Sequence, residues 1–103
     1  MSRQALAVSH PVVRELVRLA AAEVPGLVRV GFGRPPWRRF IGAPVRIRIR
    51  DGAVDVRIVV VARPGASLRT LSSDVRGAVA AAVQRLLGME IGTVTVVVDG
   101  VGS

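Results

Sequence analysis

Catalysis and metal binding need converging polar side chains, and this chain offers few of them. His10 is its single histidine and falls in the first turn of an expected helix. No histidine pair can therefore hold a metal, and any acid–base role would rest on one exposed ring. The seven acids are scattered. Glu15 and Glu23 fall on one helix, Asp74 on another, Asp51 in a turn, Asp55 opposite Arg48, and Glu90 and Asp99 at strand ends, with no pair suited to acid–base work. Ser72 and Ser73 have no histidine or lysine nearby in sequence to activate them. Gly31-Phe32-Gly33 is similar to part of a phosphate-binding turn. It follows no buried strand, however, and it runs into Arg34-Pro35-Pro36 instead of a Gly-Lys-Ser or Gly-Lys-Thr continuation. The expectation is a protein that is not an enzyme, with no catalytic residue, metal, cofactor or small-molecule substrate.

The residue types that do cluster suit contact. Phe32, Trp37 and Phe40 are all the aromatic residues of the chain. They are interleaved with Arg34, Arg38 and Arg39 around Pro35 and Pro36, so the stretch from Gly31 to Pro44 reads as an exposed loop presenting apolar rings beside cations. In a membrane reading the rings enter the headgroup boundary while each arginine adds about 1 kcal/mol on an anionic surface. In the competing reading Trp37 or Phe40 folds back over an open end of the helices and the arginines reach outward.

Length and composition bound the rest. At 103 residues and 50% hydrophobic, residues 1–103 are read as one domain with a single core, comprising a lead-in at 1–8, the loop at 31–44 and a tail at 100–103. Without cysteine, disulfides and zinc–thiolate sites are excluded, which suits a reducing compartment. The formal charge of +8 points to anionic partners: phospholipid headgroups, an acidic protein face or nucleic acid. Every basic residue is arginine, but lysine, asparagine and tyrosine are absent together, as a GC-rich coding sequence would produce, so only the net charge is informative. The apolar runs Leu19–Ala22 and Ile58–Ala62 fall far short of the roughly 20 residues that span a bilayer, and no secretory leader is recognisable. A cytoplasmic protein, peripheral at most to the inner face of the membrane, is expected.

The elements that must position these groups follow from periodicity. Ser9 opens a helix, Pro11 is tolerated in its first turn, and Val13, Leu16, Val17, Ala20 and Val24 recur at helical spacing until Pro25-Gly26. Arg14, Glu15, Arg18 and Glu23 take its other side. The alternation from Val45 to Arg50, the Asp51-Gly52 turn and the run Val54–Ala62 predict a β-hairpin. Position i then faces position 103 minus i. Val45, Ile47 and Ile49 share the core face with Val54, Val56 and Ile58, while Arg46 faces Arg57 and Arg48 faces Asp55 on the other. The like-charged pair costs a few tenths to about 1 kcal/mol and invites an anion, although two arginines splayed into solvent is the simpler reading. Ser67 caps a second helix whose apolar stripe is Leu68, Leu71, Val75, Ala78, Val79, Ala82 and Leu86, ended by Gly88. Val94, Val96 and Val98 alternate inward in a last strand.

The order helix, strand, strand, helix, strand predicts an α+β two-layer sandwich. Its sheet has three strands, or four if Ala5–Val8 adds an edge, with both helices on one face. The outer face, bearing Arg46, Arg48, Arg50 and Arg57, should stay open to water or to a partner.

From Val8 to Val101 the chain resembles the alkaline-shock, or general-stress, family of bacterial envelope stress response proteins. The matching pieces are Ser9 opening a helix that closes as Ala21-Ala22-Glu23-Val24-Pro25-Gly26, a variable glycine-containing loop, and the Val45–Ile49 strand. Asp51-Gly52, the Val54–Val61 strand, and the Gly88-Met89-Glu90-Ile91 link into Val94–Val98 with Gly100-Val101 behind complete the set. The resemblance implies a non-enzymatic cytoplasmic protein that self-associates and is held near the membrane by a small membrane-anchor protein. The chain departs from the family where its second helix exposes Arg69, Arg76 and Arg85 against Asp74 alone, and where its loop carries the aromatic and arginine insert. Both changes favour direct contact with an anionic membrane. A KH-like RNA-binding module is the alternative, using the same arginines on phosphates and Trp37 and Phe40 for stacking. It lacks the Gly-x-x-Gly clamp and aromatic residues on its strands.

Overall fold

The computed structural model describes residues 9–33 and 42–102. Helix α1 runs His10–Ala22, strands β1, β2 and β3 run Leu27–Val30, Val45–Arg50 and Ala53–Ala62, helix α2 runs Leu68–Ala82 and strand β4 runs Glu90–Val101. The expected α+β two-layer sandwich is present. Its sheet is four-stranded, and the added strand is β1, in a stretch read from sequence as the lead into the loop. Ala5–Val8, the expected extra edge, lies outside the described residues.

The hairpin forms as its sequence dictates. Asp51 and Gly52 both take positive φ, 51° and 81°, the backbone of a type I′ turn, whose twist matches the flanking strands. The pairing of β2 with β3 keeps the expected register, including Val45 with Ile58, Arg46 with Arg57 and Arg48 with Asp55. β4 returns parallel to β3 on its other edge, after a crossover through α2.

β3 is the central strand. Val59 accepts the Gly31 N–H through its carbonyl at 2.9 Å and donates its own N–H to the Pro44 carbonyl at 2.8 Å. Both groups of one residue point to one edge, so β1 and β2 lie end to end along that edge. The two ends of the loop between them are therefore rooted at a single residue. Gly33 then donates its N–H to the Asp99 carboxylate of β4 at 2.8 Å, which carries the chain across the outer face of β3. A Cβ at Gly33 would collide with the Asp99 carbonyl, so only glycine permits this approach.

On the helix side, Val54, Val56, Ile58, Val60 and Ala62 of β3 join Val13, Val17 and Ala21 of α1 and Leu71, Val75 and Val79 of α2 in one core. Each fully buried valine, leucine or isoleucine contributes about 1.5–3 kcal/mol. Val59 and Val61, on the opposite face, are each only 2% exposed. The expectation of an open outer face therefore fails at this end of the sheet. β3 is buried on both faces there, which is why Ile58–Ala62 is an unbroken apolar run and not an alternating one.

The helix ends hold smaller departures. The Ser67 hydroxyl accepts from the Thr70 N–H at 3.3 Å, as expected of a cap, whereas Ser9 occupies the N-cap position without a side-chain bond. Before Gly88, Val83–Leu87 forms one π-helical turn. Its wider pitch turns Val83 inward and leaves Leu86, expected in the core stripe, 65% exposed. Leu68, at the other end of that stripe, is also exposed.

β4 bulges between its pairings with Val54 and Val56. The Asp55 carboxylate fills the break, accepting from the Thr93 N–H at 2.9 Å and from Arg50 at 3.0 Å. The Thr93 hydrogen bond first, and then Arg50 and Arg48, outweigh partial desolvation and hold the Asp55 pKa below its ordinary value. A depressed carboxylate pKa stabilises the fold fully above the unfolded value near 3.9, and that contribution disappears as pH falls through the lower folded value. Asp55→Asn should therefore lower stability at neutral pH, flatten its dependence below about pH 4, and speed hydrogen exchange at the Thr93 amide. Gly33→Ala should cost about 1–3 kcal/mol in chemical denaturation, as other forced insertions into packed sites do.

Candidate interaction surface

Strand alternation determines where the arginines stand. With Val45, Ile47 and Ile49 turned to the core, Arg46, Arg48 and Arg50 of β2 must project from the outer face, joined by Arg57 of β3. All four are exposed. The bulge between Leu27 and Arg29 in β1 sets Arg29 beside Val61 on the same face, where its guanidinium donates to the Phe32 carbonyl at 3.1 Å.

The pairings within this face decide its charge. Arg46 stands directly across from Arg57, and its guanidinium lies against the Gly42 backbone. Arg57 borders the exposed Thr95 of β4 on its other side. Arg48 stands opposite Asp55, but the ion pair of that carboxylate goes diagonally to Arg50. Asp55 is thus already engaged by Thr93 and Arg50, and the face keeps a strong positive excess.

The described loop residues are less open than expected. Gly31, Phe32 and Gly33 are half-buried, as are Gly42 and Pro44, and only Ala43 is exposed. Arg34, Trp37, Arg38, Arg39 and Phe40 lie outside the described residues. Gly31-Phe32-Gly33 does follow a strand, contrary to expectation. Its Gly31 and Gly33 N–H groups are committed to Val59 and to the Asp99 carboxylate, so neither is aimed at a phosphate. Arg29, Gly33, Val61 and Asp99 line a shallow cavity of about 290 Å³ where the loop crosses.

The polar groups first considered for chemistry do not converge. Among the described residues no group of three or more histidine, aspartate or glutamate side chains could hold a metal ion. His10 is exposed. Glu15 is gripped by Arg18 through bonds of 3.0 and 2.6 Å, which lowers its pKa. Ser72 is half-buried and Ser73 exposed on α2.

Sequence reasoning missed two features here. The double burial of β3 was signalled by its unbroken apolar run. The partial capping of the open β4 edge was not: the Arg76 Nε donates to the Val94 carbonyl at 3.3 Å, a contact between a helix and a strand that only the crossover creates. Beyond that carbonyl, no described strand pairs with the outer edge of β4.

The fold has solved counterparts, all of low sequence identity. The chain is similar to MamM-CTD 215-293, with 17% identity, a TM-score of 0.64, and 89% of this chain and 99% of that one covered. It is also similar to the copper form of MamM CTD, with 17% identity, a TM-score of 0.64, and coverage of 88% and 85%. A histidine-to-alanine variant of MamM-CTD gives 17%, 0.65, and 89% and 98%. These likenesses establish a shared fold. None of the curated proteins compared matches the chain. No described helix is long and apolar enough to cross a membrane. A family model matches residues 1–103 throughout, in agreement with the motifs from Ser9 to Val101: the chain belongs to the alkaline-shock family, whose function is cell envelope-related.

Proposed function

We propose that this protein is a non-enzymatic envelope stress response protein, a binding and scaffolding module at the cytoplasmic face of the membrane. The observation that carries the reading is the register of β2 on β3. It gathers Arg46, Arg48, Arg50 and Arg57 on one exposed flank whose single carboxylate, Asp55, is already occupied. A flat cationic face of this kind docks on an anionic membrane surface or on the acidic side of a small membrane-anchor protein. The loop rooted at Val59 emerges on the same face, so Trp37 and Phe40 can enter the headgroup region where the arginines engage it. Self-association would then convert weak individual contacts into stable attachment.

Titration of Trp37 emission with anionic vesicles tests this, with neutral vesicles and single-stranded RNA in parallel. A blue shift with anionic vesicles alone is expected. Replacing Arg46, Arg48 and Arg57 together by alanine should weaken that binding roughly a hundredfold, at about 1 kcal/mol for each arginine. Unchanged vesicle affinity in the triple variant and in Trp37→Ala would refute the membrane contact. A response to RNA alone that falls steeply with salt would favour a KH-like module instead.

A further inference from the structure

The helix layer carries a second surface, turned away from the arginine face. On α1, Val13, Val17 and Ala21 point to the sheet, and helical spacing sets Leu16, Leu19 and Glu23 on the flank toward α2. Facing them, Ala78, Ala81 and Ala82 are too small to fill the space between the helices, leaving an apolar trough of about 310 Å³. Leu19 on one wall is 49% exposed and Leu86 on the other is 65% exposed.

The helices run antiparallel, because Gly26, just past the end of α1, lies beside Ala66 and Leu71 at the start of α2. The trough therefore has Glu23 toward one end and Arg85, with Leu86, toward the other. Neither Glu23 nor Arg85 makes an ion pair or hydrogen bond among the described residues. The π-helical turn is what swings Leu86 out to this wall.

We infer that this trough is the surface on which a second copy of the chain docks, helix layer against helix layer about a two-fold axis near Leu19. Two features select that occupant. Opposite charges at opposite ends make the surface self-complementary: the two-fold sets Glu23 of each copy on Arg85 of the other, with Leu19 and Leu86 packed between. The same arrangement also turns the two arginine-rich sheet faces outward on opposite sides, as far apart as the fold allows, which limits repulsion between chains of +8 each. The inference rests on the self-association in the proposed function and names its surface. It does not depend on the membrane contact.

Sedimentation equilibrium of the full chain over a concentration series tests it, with circular dichroism confirming that each variant folds. The wild type should dimerise. Glu23→Arg and Arg85→Glu, each creating two like-charge contacts per dimer, should each raise the dimer Kd by at least about tenfold. The Glu23→Arg/Arg85→Glu double variant should recover most of the loss, a pattern that a general surface effect would not produce. Leu86→Ser should also weaken the dimer. A dimer insensitive to the charge reversals but broken by Val96→Pro, at the open edge of β4, would overturn this surface while leaving self-association intact. A wild type that stays monomeric throughout would overturn both.

Discussion

The burial of β3 on both faces and along both edges is the constraint from which the other positions follow. Its even-numbered side chains form the floor of the core beneath the helices, and Val59 and Val61 are covered on the far side. Its backbone pairs with β1 and β2 on one edge and with β4 on the other. Val59 alone holds both roots of the loop. A strand so enclosed cannot slip by one residue, because a slip would bring Asp55 and Arg57 inward. The arginine face is thus as well determined as the core, being the other side of the same register.

That coupling explains how a small protein sustains a dense positive surface. Arg46 and Arg57 are held opposite each other by a hairpin whose stability comes from Val45, Val56 and Ile58 beneath them, so their repulsion is a minor term in a well-packed structure. Asp55 relieves part of the charge through Arg50, but its first duty is to the Thr93 amide at the bulge. The one carboxylate on that flank is thereby spent on architecture, and the arginines are left for a partner.

The two layers have opposite characters, consistent with two different contacts. The outer sheet face is flat, cationic and hydrated. The helix layer is apolar between α1 and α2, with one acid and one base toward its ends. A module that binds an anionic surface with one layer and itself with the other has no need of an enclosed cavity or of converging titratable groups.

The sequence alone determined whatever depends on neighbours within a few residues. The type I′ hairpin and its register, the boundaries of α1, the cap at Ser67, the stop at Gly88 and the outward set of Arg46, Arg48, Arg50 and Arg57 all follow from alternation, helical spacing and turn chemistry. Family membership was legible too, from the order of these pieces. Tertiary structure decided what depends on distant segments. β1 exists because Leu27–Val30, too short to announce itself, finds the free edge of β3 beside β2. Asp55 bonds Thr93 because β4 bulges beside it, far along the chain. Gly33 had to be glycine because β4 passes beneath it. Leu86 sits outside the core because a single π-helical turn shifts the phase of α2, and its sequence carries the same apolar stripe either way. Local patterns specify local geometry, whereas edges, bulges and covered faces are settled only when segments remote in sequence compete for the same space.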